Sequence, residues 1–139
     1  MHPSDLASPL AGMVALTFGV IVSNLILRVK AFAANKGTLA YFKVFQGDPP
    51  SERMAQFRNH ISNLFEVPVL FYAVCLLNIA LGSQVTPLVT LGWVYVGLRL
   101  VHTLVHLTYN KVIHRVVPFM LSNVTLVVMW VVTFRSMPA

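Results

Sequence analysis

The stretch Asn59-His-Ile-Ser-Asn-Leu-Phe-Glu66 places two amides, an imidazole and a carboxylate at the entrance to a run without charge, Val67 to Leu81. Further along, Arg99, His102 and His106 punctuate a second apolar stretch, and Arg115 follows soon after it. Residues three and four apart share one face of a helix. Glu52, Gln56, Asn59, Asn63 and Glu66 therefore make one polar stripe. Tyr95, Arg99, His102, His106 and Tyr109 or Asn110 make another, with Thr103 at its edge. A guanidinium in the middle of an apolar span is costly and should turn inward to find a partner. Glu66 is the carboxylate at matching depth, so the two stripes are expected to be neighbours.

Two readings of that pairing stand side by side. One is structural: an ion pair and hydrogen bonds that fix how helices or subunits fit together. The other is a polar pocket lined by Asn63, Glu66, Arg99, His102 and His106, with Arg28 and Arg115 adding cations at the same level. More polar groups are present than one ion pair needs, which favours a pocket. Several cations around one carboxylate suit a small solute that carries more negative than positive charge. His102 and His106, at i and i+4, have the spacing to grip a metal ion. Only His60, His114 and Glu66 are available to complete such a set, and no second ligand-type repeat appears, so no metal is assigned.

The elements that must position these groups are membrane spans. The chain of 139 residues is one domain's worth, 57% hydrophobic and 10% charged. A soluble domain averages about 25% charged residues. So small a fold cannot hide that much apolar surface from water, and its solvent must be lipid. Four stretches reach the roughly 20 residues that cross a hydrocarbon core. Four spans are too few for a barrel, so the expected class is all-α, a four-transmembrane-helix bundle. Expected helices cover about 6–30, 51–82, 86–109 and 114–135, with a loop at about 31–50. Ser51 is a plausible N-cap, with Glu52 favourable in the first turn. The first run lacks a basic start and is too long for a cleavable signal.

Arg28, Lys30, Lys36, Lys43, Arg53 and Arg58 outnumber Asp48 and Glu52 around the first loop, and Lys111 and Arg115 mark the third. The positive-inside rule puts both loops in the cytoplasm and both termini on the opposite side. The net charge of +6 is thus gathered on one membrane face, where it attracts anionic head groups or small anions. No soluble basic domain exists to receive nucleic acid. Cys75 alone makes no intrachain disulfide and reads as apolar filler.

These residues resemble a family of membrane-associated proteins in eicosanoid and glutathione metabolism, which includes microsomal glutathione transferases. "NLFEVP" is similar to the family's Asn-x-x-Glu with a following proline, here Asn63, Glu66 and Pro68. "RLVHTLVHLTYNKVIHR" resembles its Arg-x-x-His segment with a terminal arginine, here Arg99, His102 and Arg115. "RVKAFA", from Arg28, resembles the basic exit of the first helix. The nearest likeness is to bacterial members, which implies the inner membrane. The resemblance implies a homotrimer with glutathione, as thiol co-substrate, between subunits near the cytoplasmic face. It implies glutathione contacts at Asn63, Glu66, Arg99 and His102, together with Arg28, Arg58, Asn59 and His106 around them. Arg115 would hold the thiol as thiolate.

The implied activity is a transferase or peroxidase acting on a hydrophobic small molecule, an electrophile or a lipid peroxide, that arrives from the bilayer. Asn59 stands where some members have arginine, with Arg58 one position away, and His106 stands where others have tyrosine. Val116 and Phe119 replace hydroxyl side chains of the prostaglandin synthase, which argues against that isomerisation. The alternative is a non-catalytic membrane module that binds a lipid or a partner protein. A solute pathway along the polar stripes ranks last.

Overall fold

A computed structural model describes residues 3–34, 41, 43, 51–83 and 86–137. Lys36, Asp48 and most of the first loop lie outside the described residues, as do Gln84 and Val85 of the second turn. After a 3-10 turn, Pro3–Leu6, the elements are α1 (Ala7–Ala33), α2 (Glu52–Glu66), α3 (Pro68–Ala80), α4 (Pro87–Leu107) and α5 (Val112–Ser136). No strand occurs among the described residues. Four helical stretches are long and apolar enough to cross a membrane: α1, α2 with α3 as one rod, α4, and α5. The protein is a multi-pass integral membrane protein.

Proline explains why the second span is divided. Pro68 sits at the first position of α3 and is buried, while Val67 keeps a right-handed helical conformation. Without an N–H, Pro68 cannot donate to the Leu64 carbonyl, so one rung of the ladder is missing. Leu70 N–H instead reaches the Val67 carbonyl at 3.0 Å, a tighter turn. The rod changes its hydrogen bonding at this point. At its start, Ser51 is extended and its side chain accepts from Met54 N–H at 3.3 Å, as an N-cap does.

The core runs through Met13, Leu64, Phe71, Val74, Tyr95, Leu126 and Met129. Phe71 and Tyr95 stack with ring centroids 4.4 Å apart and planes within 10°. Between lipid-solvated helices, apolar burial gives little drive, so close packing and polar contacts decide the fit. Both are present. Asn78 Nδ2 donates to Thr133 Oγ1 at 2.8 Å, joining α3 to α5. At the same end of the bundle, Gly92 of α4 lies under Pro9 of α1. A Cβ at Gly92 would stand 2.9 Å from Pro9 Cγ, inside any real contact distance. Gly12 faces the Trp93 ring almost as closely, at 3.2 Å. Outside, Phe18, Leu25, Leu76, Leu100, Val124 and Phe134 are among the many large apolar side chains exposed to the bilayer.

Gly92→Ala should therefore part α1 from α4 and destabilise the detergent-solubilised protein by about 1–3 kcal/mol, as overpacking does. Gly97→Ala, where a Cβ meets nothing within 4 Å, is the control and should hold or slightly raise the thermal midpoint, because alanine favours a helix over glycine. Equal midpoints for the two variants would show that the Pro9 contact is not limiting.

Candidate functional site

The polar stripe on α4 faces inward along its length. Tyr95, Arg99, His102, Thr103 and His106 are all buried, with Arg99 only 1% exposed. The Arg99 guanidinium is held by its own helix and by α5. Nε donates to the Tyr95 hydroxyl at 3.2 Å, and Nη2 donates to Asn123 Oδ1 at 3.1 Å. The aromatic faces of Tyr95 and Phe119 lie 5.3 and 5.0 Å from its central carbon. Cation–π contact of this kind strengthens where water is excluded. Nη1 remains buried without a hydrogen-bond partner.

The stripe on α2 behaves otherwise. Met54, Phe57, His60 and Leu64 are the buried positions, and Glu52, Asn59 and Glu66 are exposed. Gln56 and Asn63 lie at the margin, half-buried. The expected Glu66–Arg99 pairing is not made within one chain. The physical reason is that the opposite side of α2 carries three large apolar residues, whose packing sets the rotation of the helix. The carboxylate is carried to the outer surface, and Arg99 satisfies itself with neutral oxygens and rings.

Where α2, α4 and α5 meet, a cleft of about 190 Å³ is lined by Asn63, His102, His106, Arg115, Val116 and Phe119. Arg115 owes its place to the turn before α5. Asn110 adopts a left-handed conformation, φ 49°, and its N–H closes α4 onto the Val105 carbonyl at 2.9 Å. Asparagine tolerates that region better than most residues. Its side-chain oxygen then accepts from Arg115 Nη1 at 2.7 Å. The Arg115 carbonyl accepts from His102 Nδ1 at 2.8 Å, so turn, guanidinium and imidazole form one chain of contacts.

Of the residues singled out from sequence, Asn63, His102, His106 and Arg115 share this cleft. Arg99 sits just behind it, beneath the Phe119 ring. Glu66 and Asn59 lie on the outer face, and Arg28 is half-buried near the end of α1. Arg58 Nη1 donates to the hydroxyl of Tyr41, a buried residue of the first loop, at 3.2 Å. On α5, Asn123 bridges to α4, whereas Ser122 and Thr125 bond back to carbonyls of their own helix.

His60 was not among the expected site residues, although it is fully buried beside them. Its ring lies 5.4 Å from that of His102 and 5.0 Å from that of His106. The signal was available: His60 is the polar member of an otherwise apolar stripe with Met54, Phe57 and Leu64. Among the described residues, no three His, Cys, Asp or Glu side chains are arranged to hold a metal ion.

A separate groove of about 220 Å³ opens between α1 and the second span, lined by Val14, Thr17, Phe18, Ile21, Phe65 and Tyr72. It is almost wholly apolar, relieved by the Thr17 and Tyr72 hydroxyls, 3.2 Å apart.

Neither the curated proteins nor the solved structures contain a match to this chain. A family model does match, over residues 6–135, and so spans all four helical rods and every residue of the cleft. On that match the chain belongs to the MAPEG family, membrane proteins associated with eicosanoid and glutathione metabolism.

Proposed function

We propose that this protein is a homotrimeric, glutathione-dependent membrane enzyme that conjugates or reduces hydrophobic electrophiles or lipid peroxides. The observation that carries the reading is the cleft in which Arg115, His102, His106 and Asn63 converge, with the unpaired Nη1 of Arg99 buried behind it. Native structures seldom leave buried polar atoms without partners. Donors and a fixed cation at one spot fit an anionic peptide with a thiol. Glutathione, when bound, supplies that thiol as nucleophile or reductant.

Size supports a site shared between subunits. A small-molecule site usually measures about 300–1,000 Å³. The cleft of one chain, at about 190 Å³, takes only part of a tripeptide. Glu66 and Asn59 face outward beside it and wait for a covering surface, which a second copy provides. In this arrangement Glu66 and the amides hold the peptide's ammonium and backbone, and Arg28, Arg58 and Arg99 balance its carboxylates. His102 and His106 line the wall near the thiol.

Arg115 has the central task. A thiol of ordinary acidity, pKa about 8.5, is mostly protonated at neutral pH, and a fixed neighbouring cation favours the anion. Arginine suits the role because it keeps its charge. Asn110 holds one arm of its guanidinium at 2.7 Å, which leaves the remaining donors for the ligand. Val116 and Phe119 supply an apolar wall, and the groove beside Tyr72 offers a bilayer-facing approach for the second substrate.

Glutathione at millimolar concentration should raise the thermal midpoint of the detergent-solubilised protein, and native mass spectrometry should find three subunits. No binding and no thermal protection would defeat the reading. Arg115→Ala should retain glutathione binding but lose the ultraviolet thiolate band and about a hundredfold of turnover, the usual scale for one electrostatic stabiliser. An undiminished band would remove Arg115 from that role. By the positive-inside rule we infer that the first loop and the α4–α5 turn, with their basic residues, face the cytoplasm. An Arg135→Cys variant should then react with an impermeant maleimide from outside intact cells; protection there would reverse the orientation.

A further inference from the structure

The hydrogen bonds around the three buried histidines fix where their protons are. Thr103 has one hydroxyl proton and donates it to the Arg99 carbonyl at 2.8 Å. The same hydroxyl lies 2.9 Å from His60 Nε2, so that nitrogen must be the donor and Thr103 the acceptor. His60 is thereby held with its Nδ1 bare. At His102 the partner of Nδ1 is the Arg115 carbonyl, which can only accept, so Nδ1 carries the proton and Nε2 is bare. Both bare nitrogens are buried and without a partner, as is Nδ1 of His106. The three rings form a closed triangle, with centroids 5.0, 5.4 and 5.6 Å apart.

Lone pairs are in surplus in this core: Arg99 Nη1 is a buried donor without a partner, yet it reaches none of the three nitrogens. A cation would satisfy them, but the guanidiniums of Arg99 and Arg115 flank the cluster, and no ligand geometry for a metal is present. A proton satisfies them at smaller cost, provided that a negative charge arises beside it at the same time. The cleft is where such a charge would form, because His102 and His106 line it together with Arg115.

We propose that His60, His102 and His106 act as a buried proton acceptor for the thiol bound in the cleft; this rests on the thiol-dependent function proposed above. The sulfur–hydrogen bond breaks and its electron pair stays on sulfur, where Arg115 faces it. The proton passes to an imidazole of the cleft-lining pair, and the His60 ring, 5.4 and 5.0 Å from the two, lies against the imidazolium so formed. A neutral thiol and a neutral cluster become a thiolate and an imidazolium, so net charge inside the membrane protein is unchanged. Thr103 and the Arg115 carbonyl keep their hydrogen bonds throughout and hold the rings in the accepting tautomer, as the partner of a catalytic base does. The groups that face the cluster are Arg99 from α4, Arg115 from α5 and Asn63 from α2.

Proton counting on the full-length protein in detergent tests this. Glutathione is added in weak buffer containing a pH indicator, and proton release is compared with the ultraviolet thiolate band. The wild type should form thiolate while releasing well under half a proton per thiolate. His60→Asn can still donate to Thr103 but has no basic nitrogen, and His106→Phe removes the cleft-side ring. Each should raise release toward one proton per thiolate or abolish the band while glutathione still binds. Release of one full proton per thiolate by the wild type would overturn the proposal, even if neither variant folds. So would variants that match a low wild-type value. Absence of any glutathione binding by the wild type is a different failure, which removes the functional reading itself.

Discussion

A guanidinium buried in a membrane bundle must be surrounded before its neighbours can be arranged. Arg99 meets that demand with two uncharged oxygens and two ring faces, contributed by α4 and α5. Much else follows from this. The α4–α5 pair is the most extensive helix contact among the described residues. Tyr95, tied to Arg99, stacks on Phe71 and so brings in α3. Phe119, tied to Arg99 from the other side, becomes a wall of the cleft. Desolvating an arginine costs several kcal/mol unless hydrogen bonds and ring contacts compensate. A charge so placed therefore specifies rotation and register for each helix that touches it.

The number of spans, the membrane as solvent and the inward face of α4 were legible because each depends on one strong signal. Uncharged runs of about 20 residues demand a bilayer. A stripe containing Arg99 at membrane depth could point only inward, and it does.

The rotation of α2 was not legible from its polar residues, because two stripes compete on that helix. Glu66, Asn63 and Asn59 suggest an inward polar edge; Met54, Phe57 and Leu64 define an inward apolar one. Within a single chain the larger apolar area prevails, since packing those three side chains fixes more contacts than one ion pair. His60, weighed from sequence only as a metal ligand, was not placed in the site because it lies with the apolar winners. Asn110 as the residue that steadies Arg115 was equally hidden, because the contact depends on a left-handed turn conformation and not on any spacing.

In the second span, α2 turns Met54, Phe57 and Leu64 toward its own bundle and Asn59 and Glu66 away from it. Such a rod is inside out for a lone molecule among phospholipid tails. A single molecule diluted in excess lipid presents the Glu66 carboxylate to its surroundings, with the Asn59 amide on the same face. The penalty for solitude falls on this one helix, while the aromatic and arginine core is left untouched.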